Sequence, residues 1–313
     1  MYFSANARNQ RIQERNPGMQ IRNIGVVSPG DMGQAVAMRL KVCGFGVHTV
    51  LDGRSPRTRE LAAKAGLADC GSMDKLISTC DMILSILNPG AAVDKAREVA
   101  AAMRTTGKKT IFVDCNAVAP QTVREIDAII REAGGTFIDA GIVGSPPRGG
   151  ARTRIYASGP EAEVLLRIKD ENLDFRIAGE RIGDASAIKM CYAAYTKGAV
   201  ALGVETLMAA RKLGVDQALD AEMQESLADV RKWILSRSTA MPPKAHRWVP
   251  EMLEIAKTFE GVGMTPRMLQ GAADMFGFIA QTPLGRESPE QAREKARGGS
   301  EIVRLLADGK QQA

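Results

Sequence analysis

The sequence predicts an α/β protein, in which a doubly wound parallel sheet is followed by an all-helical domain. Short β-branched runs alternate with longer helical patterns from Met19 onward, which is typical of βαβ units. After Gly183 the strand pattern stops, and long stretches rich in Ala, Leu and Met begin. We therefore expect a flexible tail at 1–18, an α/β domain at 19–182 and a helical domain at 183–313.

The elements of the first half are predicted in order from this alternation. Each strand is a short run of β-branched and apolar residues, and each helix is followed by a glycine suited to a C-cap. The predicted strands are Gln20–Val27, Val47–Leu51, Asp81–Leu87, Thr110–Asp114, Thr136–Asp139 and Arg154–Ala157. The predicted helices lie near Asp31–Val42, Pro56–Ala65, Ala91–Met103 and Pro120–Glu132, and the glycines after them are Gly44, Gly66, Gly107 and Gly134.

The second half is predicted to be helical throughout. Ala185–Lys212 forms one long apolar pattern, and Pro242–Pro243 and Gly261–Pro266 divide the rest of this half into shorter helices. Methionines in these helices, such as Met190 and Met208, are expected in the core or at a contact between subunits.

Composition excludes several classes of protein. The chain has 313 residues, 45% of them hydrophobic, which is enough to form a core and excludes a disordered chain. Its uncharged apolar runs are shorter than the ~20 residues of a membrane span. Its five cysteines are widely spaced without CxxC, so we expect neither a disulfide framework nor a metal site, and a cytoplasmic location.

The charge pattern indicates a small anionic partner. The net charge of +6 comes from scattered arginines, and aromatic residues make up only 4% of the chain. Nucleic-acid binding usually requires clustered basic residues with interleaved aromatics. We therefore expect a small anionic substrate and no nucleic acid.

A sharp turn joins the first predicted strand to the first predicted helix. Its residues are Ser28, Pro29, Gly30, Asp31, Met32 and Gly33. At such a turn the backbone N–H groups and the helix dipole face a diphosphate, as in the Rossmann fingerprint G-x-G-x-x-G. The last two glycines are present, whereas Ser28 replaces the first. The turn alone is equally consistent with an ordinary strand-to-helix connection.

The end of the second strand favours a dinucleotide. Leu51-Asp52-Gly53-Arg54-Ser55 lies about 20 residues after the turn, where the adenosine ribose is recognised. An acidic residue there favours NAD, and an arginine favours NADP. Because Arg54 and Ser55 offer donors to a 2′-phosphate, we predict NADP, with NAD as the alternative.

Four ordered motifs together resemble the β-hydroxyacid dehydrogenase family, which includes 6-phosphogluconate and 3-hydroxyisobutyrate dehydrogenases. Gly25-Val-Val-Ser-Pro-Gly-Asp-Met-Gly33 resembles GxxGLGxMG, and Asn88-Pro89 follows the strand predicted at Asp81–Leu87. Asp114-Cys-Asn-Ala-Val-Ala-Pro120 resembles DxSTxxP, and Gly183-Asp-Ala-Ser-Ala-Ile-Lys189 resembles GxGxxxK. The resemblance implies cofactor contacts from the turn, Asn88, Pro89 and Asn116, and a helical C-terminal domain that forms a homodimer.

The resemblance implies that Lys189 is the general acid/base, moving a proton to or from a substrate oxygen. A lysine early in an apolar helical run either extends to solvent or is partly desolvated, and the motif favours desolvation. The family has an asparagine where this chain has Ala193. Tyr192 lies on a neighbouring face of the helix and is the predicted substitute, or else a core aromatic residue.

The substrate residues implied by the resemblance depart from the family pattern. Asp139–Gly149 occupies the place of the DAPVSGG loop, so the backbone of Gly144 and Ser145 is expected to hold an oxyanion, with Arg148 as a charge partner. Asn116 is a candidate ligand of the substrate or of the nicotinamide ribose, or else it forms an Asx turn. His246 and Arg247 follow a double proline and are candidates to reach the substrate.

The sequence therefore predicts an NADP(H)-preferring oxidoreductase that acts on a small hydroxy acid or its carbonyl counterpart. Two alternatives stay open at this point. Tyr192 and the missing asparagine favour an imine reductase, and the altered glycine and serine motifs favour a non-catalytic NADP-binding sensor or scaffold.

Overall fold

The structure is a computed structural model that describes residues 20–168 and 170–309. The tail predicted at 1–18 lies outside the described residues. The described chain divides into two compact units, one ending at Lys189 and the other beginning at Met190. This boundary falls inside a single long helix, Asp184–Lys212, a few residues beyond the predicted one.

The first unit contains a mixed, mostly parallel sheet with helices between its strands. The strands are β1 (Asn23–Val27), β2 (Gly46–Thr49), β3 (Ala68–Asp69), β4 (Met82–Ser85), β5 (Ile111–Asp114), β6 (Thr136–Val143), β7 (Thr153–Ser158) and β8 (Leu173–Gly179). The helices are α1 (Asp31–Val42), α2 (Pro56–Lys64), α3 (Met73–Thr79), α4 (Ala92–Thr106) and α5 (Pro120–Glu132), followed by α6 (Asp184–Lys212), which continues into the second unit.

The strand order confirms the predicted fold class. The sheet runs β3-β2-β1-β4-β5-β6-β7-β8, so the chain reverses direction across the sheet between β1 and β4. Strands β1 to β6 are parallel, and β7 is antiparallel to β6. This is a Rossmann sheet with two added strands. A ligand at such a sheet binds outside the carboxyl ends of the strands at the point of reversal.

Both faces of the sheet are covered by apolar packing. On one face Ile24 and Leu84 belong to a buried cluster with Leu40 of α1. On the other, Phe112 and Phe137 stack with ring centroids 6.3 Å apart, in a cluster that includes Val99 of α4. Because alternate residues of a strand point to opposite faces, the two clusters explain why these strands are apolar at almost every position.

The second unit is helical, as predicted. It contains the rest of α6, followed by α7 (Asp216–Ser226), α8 (Ala228–Ser238), α9 (Ala245–Glu260), α10 (Arg267–Gln281), α11 (Pro289–Lys295) and α12 (Gly299–Asp308). Trp248 and Phe276 meet edge to face, 5.0 Å between ring centroids, where α9 packs on α10. Met190 and Met208 are buried, which confirms their prediction as core residues.

The sequence analysis missed three elements and shortened one. Helix α3 and the two-residue strand β3 were not predicted, and β8 was missed although its sequence LDFRIAG suits an edge strand. Strand β6 continues past the predicted end at Asp139 to Val143, since it pairs with β7 along that stretch. The longer strand places the predicted substrate loop directly after a rigid element.

Candidate active site

The turn between β1 and α1 has the backbone of a dinucleotide-binding turn. Ser28 has φ 61, in the left-handed region that favours glycine, and Gly30 N donates to Ser28 O at 2.7 Å. Gly30 is the N-cap of α1 and provides no side-chain cap. A Cβ at Gly33 would lie 3.2 Å from the Ser28 carbonyl oxygen, so this glycine allows the helix to approach the turn. The first turn of α1 is therefore shaped to receive an anion.

A cavity of about 210 Å³ is lined by residues near the carboxyl ends of β1 and β2. Asp52 and Arg54 line it from the loop after β2, and an ion pair between Lys95 and Glu98 of α4 lines another part. Arg54 is half-buried. The cavity is lined by acidic and basic side chains. Acidic groups can accept hydrogen bonds from the hydroxyls of an adenosine ribose, and basic groups can donate to a 2′-phosphate.

Two predicted cofactor residues act as helix caps. Ser55 Oγ accepts from Thr58 N at 3.2 Å and starts α2. Asn88 Oδ1 accepts from Gly90 N at 3.2 Å and starts the short 3₁₀ helix Pro89–Ala91 after β4. Each side chain thus shapes the loop at the carboxyl end of its strand, and a cofactor contact from Ser55, Asn88 or Pro89 remains a prediction.

A row of four buried polar residues crosses the sheet beyond the cofactor turn. Ser85, Asp114, Asp139 and Ser158 are paired side by side in β4, β5, β6 and β7, and all are fully buried. Ser158 Oγ donates to Asp139 Oδ2 at 2.8 Å. Buried polar groups in a sheet are costly unless they are hydrogen-bonded, so this row is a specific structural feature.

Asn116 donates hydrogen bonds to two residues of this row, and its predicted contacts with substrate or cofactor remain predictions. Its Nδ2 donates to Ser85 Oγ at 2.9 Å and to Asp114 Oδ1 at 2.5 Å, and its Oδ1 accepts from Leu87 N at 2.7 Å. The carboxamide is therefore used within the protein, and it joins the loops that follow β4 and β5. This geometry favours a positioning role over direct contact with substrate or cofactor.

Asp139 holds the start of α6, the helix that carries Lys189. Its Oδ2 accepts from Gly183 N at 3.1 Å and from Ser186 N at 3.0 Å, and its Oδ1 accepts from Ser186 Oγ at 2.6 Å. Ser158 Oγ also accepts from Ala185 N at 3.0 Å. A carboxylate at a helix N-terminus satisfies the free N–H groups and complements the helix dipole.

Lys189 lies close to β6 because Gly141 has no side chain. A Cβ at Gly141 would lie 2.8 Å from Lys189 Cβ and 3.0 Å from the Ala185 carbonyl oxygen. Lys189 is half-buried. The backbone position of the lysine is thus fixed by a capped helix on one side and by a close strand on the other.

Burial raises the pKa of both buried aspartates. Burial, and secondly the charge of Asp139, raises the pKa of Asp114 to about 7, while its hydrogen bonds from Asn116 oppose the shift. Burial also raises the pKa of Asp139, against the hydrogen bonds that it accepts from Ser186. Within the described residues, Asp114 Oδ2 has no hydrogen-bond partner. One of the two carboxyl groups therefore takes up a proton near neutral pH.

The predicted substrate loop follows β6. Gly144 has φ 123, and the Ser145 carbonyl oxygen accepts from Thr153 Oγ1 at 2.6 Å. Arg148 forms an ion pair with Asp31 on α1 at 2.9 Å, and its pairing with a substrate remains a prediction. Oxyanion binding by Gly144 and Ser145 remains a prediction.

The remaining candidate residues belong to the second unit. Tyr192 is 46% exposed on α6, so its ring is not a core residue. His246 and Arg247 are exposed in the first turn of α9. Partial desolvation by the surrounding protein, and secondly the charge of Arg247, lowers the pKa of His246. Their contact with a substrate remains a prediction.

The sequence analysis did not identify the roles of Ser85, Asp114, Asp139, Ser158 and Ser186. A signal was present, because each of Ser85, Asp114 and Asp139 follows an apolar strand run. The lateral pairing that joins them depends on strand order. Over the described residues 20–168 and 170–309, no cluster of acidic, His and Cys side chains suits a metal ion, and no helix is long and apolar enough to cross a membrane.

Two family models match the chain. The NAD binding domain of 6-phosphogluconate dehydrogenase matches residues 23–169, which include the turn, the small cavity and the buried polar row. A domain of unknown function matches residues 210–279 in the helical unit.

Named proteins with similar sequences are dehydrogenases of small hydroxy acids. L-threonate dehydrogenase of Cupriavidus necator is 30% identical over 206 residues, covering 62% of this chain and 67% of the relative. Mitochondrial 3-hydroxyisobutyrate dehydrogenase of Drosophila melanogaster is 28% identical over 222 residues, covering 70% of this chain and 64% of the relative.

A solved structure extends this similarity over most of the chain. It is a conserved protein of unknown function described as structurally similar to 3-hydroxyacid dehydrogenases. It is 34% identical, with a TM-score of 0.62, and the match covers 82% of this chain and 96% of that one.

Proposed function

The chain belongs to the β-hydroxyacid dehydrogenase family of NAD(P)-dependent oxidoreductases acting on CH–OH groups, and we propose that it transfers hydride between NADP(H) and a small hydroxy acid or its carbonyl counterpart. The observation that carries this proposal is the position of Lys189. It lies on a helix whose start is bound by the buried carboxylate of Asp139, and it packs against the gap left by Gly141.

We assign the proton transfer to Lys189. A dinucleotide held by the turn after β1 and by Arg54 would supply hydride exchange with the substrate carbon. In oxidation, Lys189 Nζ takes the proton of the substrate hydroxyl as the C–H bond breaks, and in reduction it gives that proton to the carbonyl oxygen. Backbone N–H groups of Gly144 and Ser145 are assigned to the substrate carboxylate. Tyr192, His246 and Arg247 are further candidates for substrate recognition.

The proton-transfer role is tested by Lys189→Ala. We expect turnover of 3-hydroxyisobutyrate or L-threonate to fall by roughly 10²–10⁴-fold, because general acid/base catalysis contributes that much. NADPH affinity, measured by fluorescence titration, should stay unchanged. The matched control is Lys212→Ala, an exposed lysine in the last turn of the same helix. Unchanged turnover in Lys189→Ala would refute the role.

The cofactor preference is carried by Arg54. Arg54 lines the small cavity, and a guanidinium offers planar, positively charged donors to a 2′-phosphate. We expect Arg54→Asp to weaken NADPH binding about tenfold or more while NADH binding changes little. Lys64→Asp, a charge reversal at the exposed end of α2, is the control. Equal loss for both cofactors contradicts the NADP assignment.

Tyr192 supports one competing reaction, reduction of imines. Its exposed phenol follows Lys189 on the same helix, and Ala193 stands where the family has an asparagine. A panel of keto acids and cyclic imines with NADPH separates the two reactions. Imine turnover that is lost in Tyr192→Phe and kept in Lys189→Ala would favour the imine reductase. Binding of NADPH without turnover of either class would favour the sensor or scaffold.

We propose a homodimer formed through the helical unit. A groove of about 540 Å³ between α6 and α10 has a mostly apolar lining, with Tyr195, Leu202 and Met268 exposed along it. Glu205 and Arg267 line the same groove, so a two-fold contact would pair each with the opposite charge of a second copy. We expect a dimer in sedimentation and a monomer for Leu202→Glu. Leu213→Glu, at a position that is also exposed but lies outside the groove, should remain dimeric.

The proposed location is the cytoplasm. All five cysteines are free, which suits a reducing compartment.

A further inference from the structure

Arg148 is bound to the helix that begins at the dinucleotide turn. Its Nη2 lies 2.8 Å from the Asp31 carbonyl oxygen, 2.9 Å from Asp31 Oδ1 and 2.6 Å from Gln34 Oε1. All three acceptors belong to the first four residues of α1. An arginine far away in the sequence therefore contacts the helix end that faces the cofactor.

The loop that carries Arg148 is folded to present it there. Arg148 N donates to Pro146 O at 2.8 Å, and Ala151 N donates to Arg148 O at 3.0 Å. The two residues after Arg148, Gly149 and Gly150, have φ 57 and 81, which glycine adopts without strain. The contact thus depends on a turn whose backbone is set by its own sequence.

Asp31 presents an electrostatic problem for cofactor binding. It is the first residue of α1, where the positive end of the helix dipole attracts anions. Its carboxylate competes with a diphosphate for that dipole and also repels it, since charges within one helical turn interact even near the surface. A diphosphate therefore binds at the first turn of α1 more tightly when a positive charge neutralises the Asp31 carboxylate.

We propose that Arg148 is a positioning residue for the dinucleotide, because it neutralises Asp31 and leaves the first turn of α1 available to the diphosphate. This inference rests on the proposed NADP(H) function. It gives Arg148, a residue of the predicted substrate loop, a role in binding the cofactor. It also gives the loop after β6 a second role, in which the substrate-side loop controls cofactor affinity.

The experiment is a double-mutant cycle read out by fluorescence titration with NADPH, without substrate. We expect Arg148→Gln to weaken NADPH binding about tenfold, because Asp31 then faces the diphosphate unpaired. Asp31→Asn alone should bind NADPH more tightly than the wild type, because the carboxylate that repels the diphosphate is removed. The double variant Asp31→Asn/Arg148→Gln should recover affinity to within about twofold of the wild type.

Two variants control for charge and for loop folding. Arg148→Lys keeps the positive charge and should keep most of the affinity. Arg152→Gln removes an exposed arginine from the same connection, one that pairs with Asp174 at 3.3 Å, and should bind NADPH normally. The loss in Arg148→Gln should shrink at about 0.5 M NaCl, since exposed charges are then screened.

Three outcomes would contradict these expectations. Equal affinity of Arg148→Gln and wild type overturns the inference and leaves the proposed function standing. A double variant as weak as Arg148→Gln also overturns it, because the arginine would then act by touching the cofactor itself. A wild-type protein that binds neither NADPH nor NADH overturns the proposed function and the inference with it.

Discussion

Ser28 occupies a backbone conformation that normally belongs to glycine. Its φ of 61 costs about 1–2 kcal/mol for a residue with a side chain. Glycine avoids this cost but loses more conformational entropy on folding, so replacing the serine with glycine recovers only part of it. The chain forms the turn despite this cost, so the missing first glycine of the fingerprint changes the stability of the turn rather than its shape.

We expect Ser28→Gly to raise the free energy of unfolding by about 0.5–1 kcal/mol, measured by thermal or urea denaturation without cofactor. Ser236→Gly, at an exposed position of α8, should lower it by about as much, because glycine disfavours a helix interior. A destabilised Ser28→Gly would mean that the serine side chain makes a compensating contact.

At the scale of elements, α6 depends on one buried carboxylate. Asp139 accepts hydrogen bonds from two backbone N–H groups at the helix start and from the hydroxyls of Ser158 and Ser186. Hydrogen bonds to a charged group are about twice as strong as those between neutral groups. The position of Lys189 therefore depends on a residue in the sheet.

Asp139→Asn tests this dependence. The amide has one acceptor oxygen where the carboxylate has two, so we expect a loss of about 2–3 kcal/mol in the free energy of unfolding and a lower kcat. Asp184→Asn is the matched control, because Asp184 is the half-buried first residue of the same helix and its ion pair with the exposed Arg181 contributes less than about 1 kcal/mol. Equal losses in the two variants would contradict the proposed anchor.

At the scale of the whole molecule, the buried aspartate pair couples stability to pH. The pKa of Asp114 is raised to about 7, mainly by burial. Between the unfolded pKa near ~4 and this value, the folded state binds a proton that the unfolded state has released. Stability therefore falls as the pH rises through this range.

We expect the free energy of unfolding to decrease by up to about 4 kcal/mol between pH 4 and 8, because three pKa units correspond to about that much. Asp114→Asn should flatten this dependence, since it is neutral throughout, while the exposed Asp229→Asn should keep it. Urea denaturation at several pH values measures the slope. A slope that is the same in wild type and Asp114→Asn would show that Asp114 does not titrate in this range.

Local patterns were enough to predict most of the fold and part of the site. Alternation of apolar strand runs and capped helices identified the main elements, and the turn after β1 was located from its glycines and its helix start. Local motifs also led to the predicted roles of Arg54 and Lys189, which remain predictions. The two-residue strand β3 was missed because so short a run has no recognisable pattern, and the edge strand β8 was missed although its composition suits a strand.

The sequence by itself determined the fold class and the position of the turn after β1, because these depend on residues close together in the chain. Only the tertiary structure decided which partners Asn116, Asp139 and Arg148 contact. Asn116 joins two loops, Asp139 holds a helix from a neighbouring strand, and Arg148 pairs with Asp31, which is distant in the sequence but belongs to the same unit. Strand order and loop conformation bring these partners together. Local sequence patterns cannot predict contacts between side chains that are distant in the chain.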